Sequence, residues 1–117
     1  MKVFLDDLCD TFGSGRETPD GWVGVKTANE AIALLENHEV ESLDLDHDLG
    51  DEGVVGSGYD VLEWLEIAVA ERGFIPPLEI IVHSANPAVY PKMLQAISSI
   101  RRQAERNTEN GRKAEHG

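Results

Sequence analysis

A run of nine residues, Leu43-Asp44-Leu45-Asp46-His47-Asp48-Leu49-Gly50-Asp51, contains four carboxylates and one imidazole. Carboxylates this close repel one another unless a cation or a proton lies between them. Acidic runs on small proteins are also common as plain solvated surface. Here, however, leucines alternate with the acids, and glycines follow at Gly50, Gly53, Gly56 and Gly58. A strand that ends in carboxylates and opens into a glycine-rich loop is the usual position of a site in an open α/β sheet.

The composition suits one domain with a single core, since 41% of the 117 residues are apolar. Ten basic residues against twenty-two acidic ones give a net charge of -12. That charge argues against duplex DNA as a partner, although a short nucleic acid that arrives with metal ions stays open. Cys9 has no cysteine to pair with, and the sequence shows no signal peptide or long apolar run. We therefore expect a protein of the reducing cytoplasm without a membrane partner.

The apolar pattern predicts four strands, at Lys2–Leu5, Trp22–Lys26, residues 42–46 and Leu78–Val82. It predicts three helices, over about Ala28–Glu39, from Gly58 to Gly73, and from after Pro87 to somewhere past Ala104. The last strand is mostly apolar, as expected for a strand buried on both faces. Residues 105–117 are polar and are predicted to be a disordered tail, which leaves residues 1–104 as one domain.

The stretch from Leu8 to Gly21 is predicted to be a long loop in place of a crossover helix, because it combines glycines and Pro19 with little apolar periodicity. Structureless loops of that length are often functional.

Thr27 and Glu30 match a capping box, so Thr27 is expected to start the first helix and not to act in catalysis.

This order of elements predicts an α/β fold, a mostly parallel sheet of about four strands with helices on both faces. Polar groups follow three of the strands, namely Asp6-Asp7, Asp46-His47-Asp48 and His83-Ser84-Ala85-Asn86. Because the carboxyl ends of parallel strands meet at one edge, these groups are expected to converge.

Three or four carboxylates in such a cleft suit Mg²⁺ or Mn²⁺. His47 and His83 are either metal ligands or an acid and base pair. For His83, a buried histidine hydrogen-bonded to a carboxylate is the structural alternative. Asp44 lies on the same strand face as Asp46 and is either a further ligand or a buried protonated acid.

These motifs resemble response-regulator receiver domains, through Leu5-Asp6-Asp7, Leu45 to Gly50, Gly58 to Leu62 and Ile81 to Ala85. The resemblance implies a flavodoxin-like fold with metal on Asp6 and Asp7, a phosphoacceptor position at Asp46 and a phosphate-contacting hydroxyl on Ser84. The first crossover helix and the fifth strand, which carries a lysine in receivers, are missing from the pattern.

The sequence resembles the cyclic-phosphate processing receiver domains more closely, over roughly residues 1 to 101, through LDD, GW, EAIALL, LDHDLG, GYDVLEWL and VHSANP. This resemblance implies that His47 and His83 adapt a receiver site to cyclic phosphates, for example the 2′,3′-cyclic ends of damaged RNA. The sequence departs from the family in Ala88-Val89-Tyr90-Pro91, where a Val-Gly-Arg segment is common, and in the longer loop. The phosphate-binding basic residue is therefore open, with candidates Lys92, Arg16 and Lys26.

The leading hypothesis is a metal-dependent phosphoesterase that acts on a small cyclic nucleotide or an RNA end. In it, Mg²⁺ or Mn²⁺ is held by Asp6, Asp7 and Asp46. The catalytic candidates are His47 and His83 as acid and base, Asp48 to orient His47 or add a ligand, and Ser84 and Asn86 to orient the phosphate. Two alternatives remain: a signalling receiver phosphorylated on Asp46, and a non-catalytic protein that binds a cyclic nucleotide.

Overall fold

The computed structural model describes residues 1–46, 58–83 and 90–116, with side chains to Glu109. Its strands are β1 (Lys2–Leu5), β2 (Val23–Val25), β3 (Ser42–Leu45) and β4 (Glu79–Val82). Its helices are α1 (Ala28–Asn37), α2 (Gly58–Arg72) and α3 (Tyr90–His116). Within these ranges, no helix is long and apolar enough to cross a membrane.

The four strands form one parallel sheet in the order β2-β1-β3-β4. This is the doubly wound order of flavodoxin-like folds, in which ligands bind outside the carboxyl ends of the strands where the winding reverses, between β1 and β3. Residues 6–22 join β1 to β2 without a helix, and the described residues contain no fifth strand. The predicted receiver-like α/β fold is confirmed.

The core lies on one face of the sheet. Val3 pairs in register with Leu43 and Leu5 with Leu45, and these four side chains are fully buried. All three helices add residues to this same core, among them Ala31, Leu62 and Met93. The sequence predicts helices on both faces, but the described helices cover only this one. The physical reason is that the segment between β1 and β2, which would supply a helix to the other face, is a loop.

The strand β4 is also less buried than predicted. It lies at the edge of the sheet next to β3, and Ile81 is 38% exposed on the face opposite the core. The neighbouring β4 residues Ile80 and Val82 pack against the core but are only partly buried. The apolar run therefore predicts the strand correctly but not its burial on both faces. Among the described residues, neither an outer strand nor a second layer of helices covers β4.

The loop at residues 8–21 covers the second face beside β2. Gly24 lies under it, and a Cβ at this position would overlap Thr18 Oγ1 and approach Cys9 Sγ at 3.1 Å. Thr18 N–H donates to the Cys9 carbonyl at 3.0 Å and fixes the base of the loop. Cys9 is buried there at 7% exposure, as expected of a packing residue.

The start of α1 follows the predicted capping signal, whereas the last helix is longer than predicted. The Glu30 amide donates to the Thr27 hydroxyl at 3.2 Å, so Thr27 caps α1 as predicted. The helix α3 continues to His116, through residues that the sequence predicts to be a polar tail. Ala104 packs against the core, and Asn107 Nδ2 donates to the Val69 carbonyl at 2.8 Å, which holds the added turn of α3 to α2. The division at residue 104 itself stays a prediction.

Candidate functional site

The site is built on the residues that directly follow three adjacent strands. Each of these residues extends the backbone hydrogen bonding between neighbouring strands by one bond. Asp6 N–H donates to the Val25 carbonyl at 3.0 Å, and Asp46 N–H donates to the Leu5 carbonyl at 3.1 Å. His83 N–H donates to the Leu45 carbonyl at 3.0 Å. These backbone bonds fix all three side chains at one sheet edge, so the expected convergence is present for Asp6, Asp46 and His83.

Strand alternation sets the face that these side chains share. Asp44 precedes Asp46 by two residues, and Phe4 precedes Asp6 by two, so all four lie on the face opposite the helical core. Asp6 is fully buried and Asp46 is 3% exposed. Two carboxylates at this depth need positive or hydrogen-bonding partners, because burial of an unpaired charge is costly.

Arg16, from the loop at residues 8–21, supplies one positive partner. Its Nε donates to Asp6 Oδ2 at 2.8 Å, and its Nη2 donates to Asp46 Oδ2 and, at 3.3 Å, to Asp7 Oδ1. The side chain of Arg16 is 37% exposed, so the guanidinium lies across the mouth of the site. The hydrogen bond to Asp6 raises the pKa of Arg16 further above its ordinary value, against the effect of burial.

Burial alone would raise the pKa of Asp6. Its Oδ2 accepts from Arg16, its Oδ1 accepts from the Leu8 amide at 2.9 Å, and His83 adds a further hydrogen bond. Together these bonds lower the pKa of Asp6 below its ordinary value. Asp6 is therefore a fully buried carboxylate that stays charged.

His83 supplies the second positive partner. Its Nδ1 bonds to Asp44 Oδ1 and its Nε2 bonds to Asp6 Oδ2 at 3.0 Å. Carboxylate oxygens accept hydrogen bonds, so these two contacts favour the imidazolium form, in which both ring nitrogens donate. Burial works against that charge, but the bonds to Asp44 and Asp6 outweigh it and raise the pKa of His83 above its ordinary value. The ring also stacks on Phe4, with centroids 4.8 Å apart and planes 5° apart.

Asp44, whose role the sequence leaves open, contacts His83. The carboxylate fixes Nδ1 while the ring stacks on Phe4, and Nε2 is thereby directed at Asp6. The structural alternative for His83, a histidine bonded to a neighbouring carboxylate, describes its contacts correctly. It does not make His83 a core residue, since its side chain is 24% exposed at the site.

The described part of the cluster carries more negative than positive charge. Among the described side chains, four carboxylates, those of Asp6, Asp7, Asp44 and Asp46, contact two cations, Arg16 and His83, and the difference is two negative charges. One ligand atom from each of Asp6, Asp46 and His83 lies within 4.8 Å of the others. A set of buried carboxylate oxygens with excess negative charge fits a hard divalent cation.

Gly58 lets α2 begin against the end of β3. Its N–H donates to the Asp46 carbonyl at 3.1 Å. A Cβ on Gly58 would lie 2.6 Å from that carbonyl oxygen and 3.1 Å from Met93 Cε. The glycine of the GYDVL motif thus fixes the backbone of Asp46 by close approach.

Other predicted site residues lie outside the described part of the chain, namely His47, Asp48, Ser84 and Asn86. Of the three candidate basic residues, only Arg16 reaches the carboxylates. Lys26 pairs with the exposed Asp10 at 3.4 Å, and Lys92 lies in a groove between α2 and α3. Nothing in the sequence distinguishes Arg16 beyond its place in a long loop, and nothing in it indicates that Phe4 stacks on His83.

Residues 1–99 match the family model of the cyclic-phosphate processing receiver domain. The chain belongs to this family. The resemblance predicted from the motifs is confirmed, and the matched range of the cyclic-phosphate processing receiver domain includes β1 to β4 and every cluster residue named above. No curated protein and no solved structure shows a significant match to the chain.

Proposed function

We propose that the protein is a metal-dependent phosphoesterase that hydrolyses cyclic phosphates, with a 2′,3′-cyclic nucleotide or RNA end as substrate. The observation that carries this proposal is the meeting of Asp6, Asp46 and His83 at one sheet edge, within 4.8 Å of one another. An ordinary receiver needs carboxylates at this edge but no histidine. The family name supports a cyclic phosphate as the substrate class.

Asp6 and Asp46 would hold Mg²⁺ or Mn²⁺, with Asp7 at the rim, where its side chain is 28% exposed. The excess of negative charge and the oxygen ligands support this choice over zinc. When bound, such an ion offsets charge on the phosphoryl oxygens and provides a more acidic water. One ring nitrogen of His83 belongs to the same group of possible ligand atoms, so His83 either donates a proton or ligates the ion.

The reaction adds one water across one P–O bond of the cyclic diester. The water oxygen forms a bond to phosphorus, one ribose oxygen leaves, and a monophosphate ester remains. A base takes a proton from the water, and an acid gives a proton to the ribose oxygen. The doubly hydrogen-bonded imidazolium of His83 favours it as the acid, and His47, which follows Asp46 directly, is then the base.

Three further residues keep their predicted roles in this proposal. Ser84 and Asn86 follow His83 in the chain and would orient the phosphate with their hydroxyl and amide groups. Asp48 would orient His47 or add a ligand. Asp44 acts through His83 and is a positioning residue.

The test is a phosphorus NMR time course with a 2′,3′-cyclic mononucleotide and Mn²⁺. We expect conversion into one monophosphate isomer that stops with EDTA and falls at least about a hundredfold in Asp46→Asn, because a buried ligand is lost. Asp10→Asn is the matched control, since Asp10 is exposed and contacts Lys26 instead of the cluster. An unchanged wild-type spectrum would contradict the proposal.

One observation favours a second candidate, a phosphoacceptor receiver. Arg16 Nη2 contacts Asp46 Oδ2 and places a cation beside the acceptor position, where ordinary receivers use a lysine. A small-molecule phosphodonor with Mg²⁺ separates the two functions. A stable adduct of about 80 Da by intact mass supports signalling, and cyclic nucleotide recovered intact from a tight complex supports binding without chemistry.

A further inference from the structure

We propose that Arg16 is an internal cation which the metal ion displaces from Asp6 and Asp46, and that the released guanidinium then binds the phosphate of the substrate. This inference rests on the proposed function, which supplies the metal and the phosphate. It assigns Arg16 two successive partners, the carboxylates before metal binding and the phosphoryl oxygens after it.

Arg16 and a metal ion need the same oxygens. The guanidinium bonds to Oδ2 of Asp6 through Nε and to Oδ2 of Asp46 through Nη2. A magnesium-type ion bonds carboxylate oxygen at about 2.1 Å. An ion shared by these two oxygens would therefore overlap the N–H groups of Arg16 that bond to them. The ion and the guanidinium, both positive, would also repel each other strongly at such close range.

The carboxylates can remain in place while the guanidinium moves. Asp6 and Asp46 are held by ladder bonds and burial, whereas the Arg16 side chain is 37% exposed and comes from a loop. The loop residues on either side, Ser14 and Glu17, bond to each other through Ser14 Oγ and Glu17 Oε1 at 3.1 Å. Arg16 N–H donates to Ser14 Oγ at 3.0 Å, so the backbone keeps Arg16 at the mouth of the site when its side chain is released.

A released guanidinium suits the phosphate because its planar donors match two phosphoryl oxygens at once. Among the three candidate basic residues, Arg16 is the one already at the site. Lys26 is engaged by Asp10, and Lys92 lies on α3 in a groove with Glu66 and Arg102. The exchange also explains why one arginine contacts three carboxylates, an arrangement that a permanent phosphate ligand would not need.

The first test is Mn²⁺ affinity, measured by calorimetry on wild type, Arg16→Gln and the control Lys26→Gln. Lys26→Gln removes one positive charge outside the cluster, because Lys26 pairs with the exposed Asp10. We expect Arg16→Gln to bind Mn²⁺ about tenfold more tightly, since the ion no longer competes with charge-assisted hydrogen bonds. We expect Lys26→Gln to stay within about twofold of wild type. Equal or weaker binding by Arg16→Gln would overturn the inference.

A second measurement uses the wild-type protein and does not depend on the folding of a variant. The Nε–H of Arg16 is hydrogen-bonded to a buried carboxylate, so this proton should exchange slowly with solvent in metal-free protein. Its exchange is measured through the nitrogen-15 NMR correlation of Arg16 Nε. We expect saturating Mg²⁺ to abolish that protection. Protection that persists at saturation would overturn the displacement.

The phosphate step has its own measurement, the affinity of Mn²⁺-loaded protein for inorganic phosphate. Arg16→Gln should weaken it about tenfold, and Lys26→Gln should not. Unchanged phosphate affinity in Arg16→Gln would overturn this step.

Tighter Mn²⁺ binding by Arg16→Gln without any hydrolysis by wild type supports the displacement and contradicts the phosphoesterase. Hydrolysis by wild type together with unchanged Mn²⁺ affinity in Arg16→Gln supports the phosphoesterase and contradicts the displacement.

Discussion

The His83 ring is held on three sides, by Asp44 at Nδ1, by Asp6 at Nε2 and by Phe4 across its face. Phe4 and Asp6 belong to β1 and its end, Asp44 lies on β3, and His83 follows β4, so the ring orientation depends on the sheet register. Orientation of this kind is what a general acid needs, because proton transfer requires hydrogen-bond reach to the reacting oxygen. Among the described residues, His83 is therefore the side chain whose loss should affect chemistry most selectively.

Replacing His83 with alanine should reduce turnover of a cyclic phosphate by about two to four orders of magnitude while the protein stays folded. The reason is that the proton donor is lost but the buried carboxylates remain. His38→Ala is the matched control, because His38 is an exposed residue at the end of α1, away from the cluster. Steady-state kinetics beside circular dichroism measure both effects, and unchanged turnover in His83→Ala would remove the role assigned to it.

The same ring predicts a pH dependence of stability in metal-free protein. Asp44, Asp6 and the Asp46 charge raise the pKa of His83 above its ordinary 6.5, despite the opposing effect of burial. A group whose pKa is raised by folding stabilises the folded state fully below its unfolded pKa. That contribution is lost as the pH rises through the raised pKa. It is therefore complete below pH 6.5 and declines above it.

Urea unfolding of EDTA-treated wild type and His83→Gln between about pH 6 and pH 9 measures this contribution. The other titrating groups are common to both proteins, so their effects cancel in the difference. We expect the difference in free energy of unfolding to shrink as the pH rises. A difference that is constant or grows with pH would show that the imidazolium does not stabilise the fold.

The loop at residues 8–21 takes the place of a crossover helix and delivers Arg16 to the site. Its fit depends on Gly24 of β2, above which Thr18 and Cys9 pack too closely for any Cβ. The loop is thus a structural layer on the second face of the sheet as well as the source of a site residue.

Gly24→Ala should destabilise the protein by about 1–3 kcal/mol, the usual cost of overpacking, because the Thr18 hydroxyl must move. Thr18→Ala makes room for the added methyl group, although alone it removes the Oγ1 bond to the Cys9 carbonyl at 3.2 Å. We therefore expect the double variant to lose less stability than the sum of the single variants in urea unfolding. Additive losses would show that the two residues do not press on each other.

The strands and their shared edge were predictable because both rest on local rules. Alternation and β-prone runs mark strands, and parallel strands bring their carboxyl ends together, which accounts for Asp6, Asp46 and His83. Burial of β4 was not predictable in this way, because it depends on whether other elements cover the strand. The contact of Arg16 with the carboxylates depends on the path of an irregular loop, and the Asp44–His83 pair joins residues far apart in sequence.

At the scale of the whole molecule, the chain is acidic, and part of its negative charge lies in the cluster at one sheet edge. The net charge of -12 disfavours nucleic-acid binding in general, yet the cluster around Asp6 and Asp46 holds its charge where a cation can offset it. A phosphate would then be attracted to the bound ion and to Arg16 instead of to the protein surface at large.

The decisive measurement is anomalous diffraction from crystals of the protein grown with Mn²⁺. We predict an anomalous peak within bonding distance of Oδ2 of both Asp6 and Asp46, with the Arg16 guanidinium no longer between them. A peak elsewhere, or no peak with Arg16 still bonded to both carboxylates at saturating Mn²⁺, would contradict a metal-dependent site at this sheet edge.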